Sequence, residues 1–146
     1  MTIYEPKSES MRPGDREQIQ LERVQALLAR LRRNVRRYRE LLGDVPVTGL
    51  DDVGKLPFTT PEDLVDAFPY GMFALPLREV RRLHSTVGPL GRPLILGYTA
   101  NDLAQWGRLA ARQLASAGVT PNDVVQICFE SGAFEQSFEI GRASCR

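Results

Sequence analysis

The sequence predicts an incomplete α/β protein: a helical N-terminal region followed by the opening part of a domain built on a parallel sheet. Three observations lead there. Between residues 16 and 42, apolar residues recur at alternating spacings of three and four, the stripe of one helix face. Near Glu79 the texture changes to short apolar runs separated by Gly and Pro. From Leu94 to Phe129 the order is strand, helix of about 18 residues, strand, the pattern of a parallel crossover. One crossover cannot cover both faces of a parallel sheet. The expected organisation is therefore a helical region over 1–78, the start of an α/β domain over 79–138, and a separate tail over 139–146.

Composition supports a globular chain. Of 146 residues 42% are hydrophobic and 25% charged, with a formal net charge of +1. That is far from the low-hydropathy, high-charge signature of disorder. No apolar run approaches the roughly 18 residues of a membrane span. MTIYEPKSES carries neither a basic flank nor an apolar stretch, so no secretory leader and no membrane partner are expected, and the cytoplasm is the expected location. Two cysteines, Cys128 and Cys145, give neither a disulfide framework nor zinc spacing. The single histidine, His84, argues against a multi-histidine metal site and against a Ser-His triad.

Element by element, residues 1–14, with Pro6, Pro13 and Gly14, read as an extended arm. A helix is expected from about Arg16 to Leu42, burying Leu21, Val24, Leu28, Leu31, Val35, Tyr38 and Leu42, with Gly43 as its stop. Val45–Leu56 is turn-rich. Thr60 followed by Pro61, Glu62 and Asp63 starts a short helix: a hydroxyl N-cap, proline at the first position, acids in the first turn. Val80–His84 and Leu94–Tyr98 are expected strands. Thr99 with Asp102 forms a capping box for a helix that carries Leu103, Trp106, Leu109, Ala110 and Leu114 and stops at Gly118. Val124–Phe129 is the expected closing strand, with Cys128 as a buried, inert thiol within it.

The last eight residues, EIGRASCR, continue no preceding pattern. The string looks like the in-frame translation of a short-read sequencing adapter. Natural sequence is expected to stop near Phe138 in a truncated reading frame, and the tail is set aside from fold reasoning.

Two constellations can carry chemistry. In Ser85–Pro93, Gly88 and Gly91 let backbone N–H groups approach a phosphate and Arg92 adds a cation. The same residues also make a plain Gly-Pro hairpin turn. The loop is not a Walker loop, because the Gly-Lys-Ser/Thr ending is absent and a strand follows where a helix should begin, and it is not a dinucleotide fingerprint either. The second constellation is the Arg-rich helix: from Arg12 to Glu40 nine arginines face four acids, a balance of +5. Arg30, Arg32, Arg33, Arg36, Arg37 and Arg39 could face nucleic-acid phosphates. No aromatics interleave with them and no second helix follows at helix-turn-helix distance, so a solvated face or a partner-binding helix is the preferred reading over nucleic acid. His84 could serve as a base or bind substrate, although a structural histidine satisfies the same position. Phe129 and Phe134 follow the last expected strand, where ligands collect in parallel sheets.

Several segments, in this order, resemble the phenylacetate–coenzyme A ligase family of adenylate-forming enzymes. They are Tyr4-Glu5-Pro6; Ile19–Val24 and Asn34–Arg39 in the long helix; Lys55-Leu56-Pro57-Phe58-Thr59-Thr60-Pro61-Glu62-Asp63-Leu64 for the family's K-L-P-F-T-T-K-x-D-L; Pro69-Tyr70-Gly71-Met72-Phe73-Ala74 for Y-P-x-G-L-F-A; and Gly97-Tyr98-Thr99 with Trp106. The resemblance implies the helical segment and first βαβ part of the large N-terminal domain of such an enzyme. It implies activation of an aryl or other small carboxylic acid with Mg2+ and ATP to an acyl-adenylate, then transfer to coenzyme A. It also makes a homodimer of the full-length parent plausible.

The resemblance assigns Thr86, Gly88, Gly91 and Arg92 to the family's phosphate loop, H-A-S-S-G-T-T-G-K-P. The chain departs from that loop at Ser85, Val87, Pro89, Leu90 and Arg92. Three hydroxyls are gone, and Pro89 lacks a backbone N–H. Loss of one well-placed donor to a developing charge costs about 3–4 kcal/mol in comparable sites. Arg for Lys is not neutral, because its fork is larger and differently hydrated. The resemblance also places Phe129, Ser131, Gly132 and Phe134 beside the acid pocket. The family's adenine-binding segments, magnesium carboxylate and catalytic lysine fall beyond residue 146. The polypeptide as it stands is therefore expected to be inactive, with no catalytic residue and no metal ligand of its own. The rival reading is a non-enzymatic, diverged member that acts as an interaction module through the Arg-rich helix.

Overall fold

The computed structural model describes residues 3–87, 91–126 and 128. Among the described residues, five α-helices and two strands run in the order α1 (Pro6–Glu9), α2 (Pro13–Asn34), α3 (Arg36–Leu42), α4 (Pro61–Asp66), β1 (Val80–Val87), β2 (Pro93–Thr99) and α5 (Ala100–Ser116). Short 3-10 turns cover Leu50–Lys55 and Leu77–Glu79. The mixed helix-and-strand architecture expected from the sequence is present. The chain forms two compact units, residues 12–97 and Met1–Met11 with the chain from Tyr98 on.

In the first of these units the predicted stripe is the core. Leu28, Leu42 and Val47 are buried, with Leu21, Val24, Leu31, Tyr38 and Leu56 packed against them. The single helix expected over 16–42 is instead two helices. The chain turns extended at Val35 (φ −116°, ψ 110°), whose side chain is 0% exposed. Like charges explain much of this. A continuous helix would stack Arg32 on Arg36 and Arg33 on Arg37, both unfavourable pairs four residues apart, around a β-branched residue of low helix propensity. The break also gives the arginines work. Arg39 donates Nε to the Arg32 carbonyl at 2.9 Å and Nη2 to the Arg33 carbonyl at 2.7 Å. These are two of the orphan acceptors that end α2. Arg32 donates to the Gly43 and Val45 carbonyls at 2.9 and 2.6 Å. Gly43 takes φ +47°, which favours glycine and fits its predicted role as the stop.

The predicted N-cap at Thr60 is present. Thr60 Oγ1 accepts from Asp63 N at 3.3 Å, and Thr60 N donates to Asp63 Oδ2 at 2.8 Å. Thr99 and Asp102 repeat the box at the head of α5, at 3.2 and 2.8 Å. Aspartate is short for this role, yet it reaches because it bonds the N-cap's own N–H across a single turn.

Strand β1 is longer than predicted and takes in Ser85, Thr86 and Val87. It pairs with β2 in a two-stranded sheet. A five-residue connection is too short for a parallel crossover, so the two strands form an antiparallel hairpin.

In the other unit the arm expected to be extended contains α1. Glu5 and Glu9, four residues apart, meet Arg108 and Arg112, also four apart, at 2.6 and 3.3 Å. The arginine beside it holds the Glu5 carboxyl below its ordinary range, chiefly through the hydrogen bond from Arg108. Helix α5 buries Leu103, Ala110, Ala111 and Ala115, and Trp106 stacks at a tilt against Tyr98 with 5.3 Å between ring centroids. Leu109, carried by the same helix, is exposed.

The expected strand at Val124–Phe129 is absent where it is described. Val124, Val125, Gln126 and Cys128 carry no strand, and Ile127 and Phe129 lie outside the described residues. Val124 is 98% exposed, and Cys128 is an exposed free thiol rather than a buried one. Apolar residues become a strand only beside a partner strand, and among the described residues the sheet pairs only β1 with β2.

Candidate functional site

The hairpin places the described part of the candidate phosphate loop. Thr86 is the penultimate residue of β1 and exposed. Alternation along the strand puts its side chain on the same face as the half-buried His84. Gly91 takes φ +68°, a conformation that disfavours any other residue, while the space around its α-carbon is open. Its glycine therefore serves the turn rather than a close approach. Arg92 is exposed and leads directly into Pro93, which opens β2 at a position where a missing N–H costs little.

Topology thus brings Thr86, Gly91 and Arg92 to one end of one hairpin. A hydroxyl, a backbone N–H in a left-handed turn and a guanidinium can each donate a hydrogen bond, so the described site has the chemistry to receive an anion. Gly88, the fourth residue of the predicted loop, lies outside the described residues. So do all four predicted pocket residues, Phe129, Ser131, Gly132 and Phe134, and the whole tail over 139–146.

The Arg-rich helix looks different once its partners are known. Besides Arg32 and Arg39, Arg36 pairs with Glu40 at 2.9 Å, and Arg37 pairs with Asp63 through both Nε, at 2.8 Å, and Nη2. Four of the six arginines singled out by the sequence are thus engaged within the chain.

Sequence reasoning missed how the L-P-F-T-T segment is held. Tyr38 Oη and Thr59 Oγ1 are 2.7 Å apart, and the next contact along is Arg37 with Asp63. Two consecutive residues of α3 thereby grip both sides of the α4 cap. Phe58, beside this grip, is 91% exposed. The Thr60–Asp63 spacing is visible in the sequence, but its partner 26 residues upstream carries no local signal. Among the described residues no group of three or more His, Cys, Asp and Glu side chains converges, and no helix is long and apolar enough to cross a membrane.

No family model matches the chain. Known proteins do. The chain is 36% identical over 137 residues to a phenylacetate-coenzyme A ligase of Thermus thermophilus, an alignment that covers 90% of this chain and 31% of that protein. It is 40% identical over 122 residues to the ligase of the same name from Pseudomonas putida, covering 80% of this chain and 28% of that one. Over 85 residues it is 40% identical to the Escherichia coli ligase, covering 58% and 20%. The chain spans about a third or less of the length of the curated relatives it matches. Among solved structures it superimposes on an open conformation of 2-hydroxyisobutyryl-CoA ligase, in complex with 2-HIB-AMP and CoA, with a TM-score of 0.81 at 21% identity. That match covers 95% of this chain and 34% of that one. A second structure of that ligase, in the thioesterification state, gives 0.79 at 23% identity. At those identities the likeness establishes the fold alone: this chain has the backbone of about a third of that ligase.

Proposed function

We propose that this chain, a relative of the phenylacetate–coenzyme A ligases over most of its length, is the N-terminal portion of a ligase that activates a small carboxylic acid with ATP and passes the acyl group to coenzyme A. The observation that carries this reading is the 36–40% identity to such ligases, on a backbone that superimposes on another acyl-CoA ligase. In such a reaction ATP supplies the adenylyl group that makes the carboxylate an electrophile, and pyrophosphate leaves. The contribution proposed for this chain is the hairpin turn, where Thr86, Gly91 and Arg92 would receive polyphosphate oxygens. The described residues fit that group in part. Their donors suit an anion, but Val87, Pro89 and Leu90 bring no hydroxyl, and Pro89 brings no N–H. Nucleotide binding is accordingly proposed to be weak. No residue of 1–146 is assigned to magnesium or to coenzyme A.

Phe129, Ser131, Gly132 and Phe134 are proposed to border the acid site of the parent. Homodimerisation of the parent and a cytoplasmic location are proposed with the same standing, as is the foreign origin of 139–146. The intramolecular bonds of Arg32, Arg36, Arg37 and Arg39 weigh against the rival reading of the Arg-rich helix as an interaction surface.

ATP–pyrophosphate exchange tests the reading. The 146-residue chain is expected to give none with any acid. Long-read sequencing of the locus past codon 138 is expected to replace EIGRASCR with an open frame whose product exchanges pyrophosphate in the presence of an aromatic or short-chain acid. A frame that ends after Arg146 in long reads, or an extended product without exchange, would overturn it.

A further inference from the structure

The segment Pro69–Ala74 ties together two elements that are far apart in sequence. At one end, Asn34, the last residue of α2, donates Nδ2 to the Ala74 carbonyl at 2.9 Å. At the other, the Phe73 ring lies on the backbone of Gly97 in β2. A β-carbon at 97 would sit 2.6 Å from Cε2 and 2.7 Å from Cζ of that ring. Gly97 is not in a left-handed conformation, so the glycine is required there for space alone.

The ring is held from behind. Tyr70 packs edge-on against it, with centroids 5.4 Å apart and planes at 62°, and Phe73 N donates to the Tyr70 carbonyl at 2.9 Å. The turn that delivers it depends on Gly71. Its N–H donates to the Ala67 carbonyl at 2.7 Å, and a β-carbon there would lie 2.7 Å from the same oxygen. The segment Pro69–Ala74 and Gly97 thus act as one mechanical device.

We propose that Phe73 is a positioning residue: by filling the space above Gly97 it sets where β2 lies, and with it Gly91 and Arg92 at the head of that strand. This rests on the reading of Gly91 and Arg92 as part of an anion-binding turn, and deepens it. Carbon–carbon contacts settle near 3.5–4.0 Å, so a side chain at 97 forces strand and ring apart by about 1 Å. A displacement of that size at a binding group can cost on the order of 100-fold in catalysis.

The test is a double-mutant cycle on the 146-residue chain: Gly97→Ala, Phe73→Leu and the pair together. Each protein is followed by its thermal midpoint and by the 1H–15N amide signals of Gly91 and Arg92. Gly97→Ala is expected to lower the midpoint by about 5 °C and to move both amide signals. The shorter leucine in the double variant is expected to return midpoint and signals toward wild type. Should Gly97→Ala not fold, Phe73→Leu alone, which removes the ring without adding an atom, must still move both amides. Shifts confined to residues 94–99 would overturn the proposal, because a merely structural contact stays local, and midpoints that simply add would overturn it because independent residues add.

Titration with Mg-ATP separates the two readings. A coupled cycle with no ATP response at Gly91 and Arg92 retires the anion site and keeps the positioning role. An ATP response beside a flat cycle does the reverse.

Discussion

At the scale of single residues, Asp63 stands out as the buried charged side chain among the described residues. It is 6% exposed and accepts from Thr60 N, Thr60 Oγ1 and two nitrogens of Arg37. The Thr60 N–H first, and the Arg37 guanidinium second, hold its carboxyl below the usual range. The sign of the consequence follows. A carboxylate whose native pKa is depressed binds its proton more readily in the unfolded chain. The stability it contributes is present above the unfolded value, about 3.9, and is lost as pH falls through the native one. Acid titration of the thermal midpoint is expected to fall more steeply below about pH 4 in wild type than in Asp63→Asn, which should start lower at pH 7 and change less. Parallel curves would show that Asp63 is not linked to folding. Thr60→Ala removes the hydroxyl acceptor for Asp63 N and is expected to cost about 1 kcal/mol by denaturant unfolding at pH 7. Half of this node was legible: Thr60, Pro61 and Asp63 announce a cap by spacing alone. Arg37 was legible only as one more arginine, because a contact across 26 residues leaves no trace in local pattern.

At the scale of elements, the break at Val35 shows where periodicity misleads. The apolar stripe is continuous through Val35, and every stripe residue is buried or half-buried. Periodicity reports which side chains face the core, and a helix-break-helix that keeps the same face inward leaves it unchanged. Electrostatics and capping decide the backbone, through the stacked arginines that a straight helix would create and the carbonyls that Arg39 satisfies. Val35→Ala separates these forces. Alanine favours helix over valine by roughly 0.5 kcal/mol, whereas emptying a fully buried valine site costs about 1–3 kcal/mol. Packing should win: a less stable protein by chemical denaturation, with far-UV helix signal equal to or slightly above wild type. A gain in stability would mean that the break is a propensity compromise rather than a packing requirement. The strand expected at Val124–Phe129 fails for the opposite reason. An apolar run is a necessary condition for a buried strand, but pairing is decided by what lies beside it.

At the scale of the whole molecule, large apolar side chains stand exposed among the described residues. The antiparallel hairpin is the clearest case. Its two strands leave both outer edges without a strand partner among the described residues, and Leu83 and Leu96 are 51% and 39% exposed on them. Open edges next to exposed leucines are a template for pairing with a second chain. The formal charge of +1 offers little long-range repulsion to oppose it. Light scattering is therefore expected to show an apparent mass that rises with concentration. Leu83→Lys places a charge on the exposed face of β1 without touching the half-buried Arg82 and His84 on its other face. It should bring the mass back toward a 16.4 kDa monomer while leaving the far-UV spectrum unchanged. If Leu83→Lys associates as strongly as wild type, the contact lies elsewhere. Phe58, exposed beside the Tyr38–Thr59 grip and remote in sequence from the hairpin, is then the next residue to charge. A wild-type chain that stays monomeric at high concentration would mean that neither edge is adhesive.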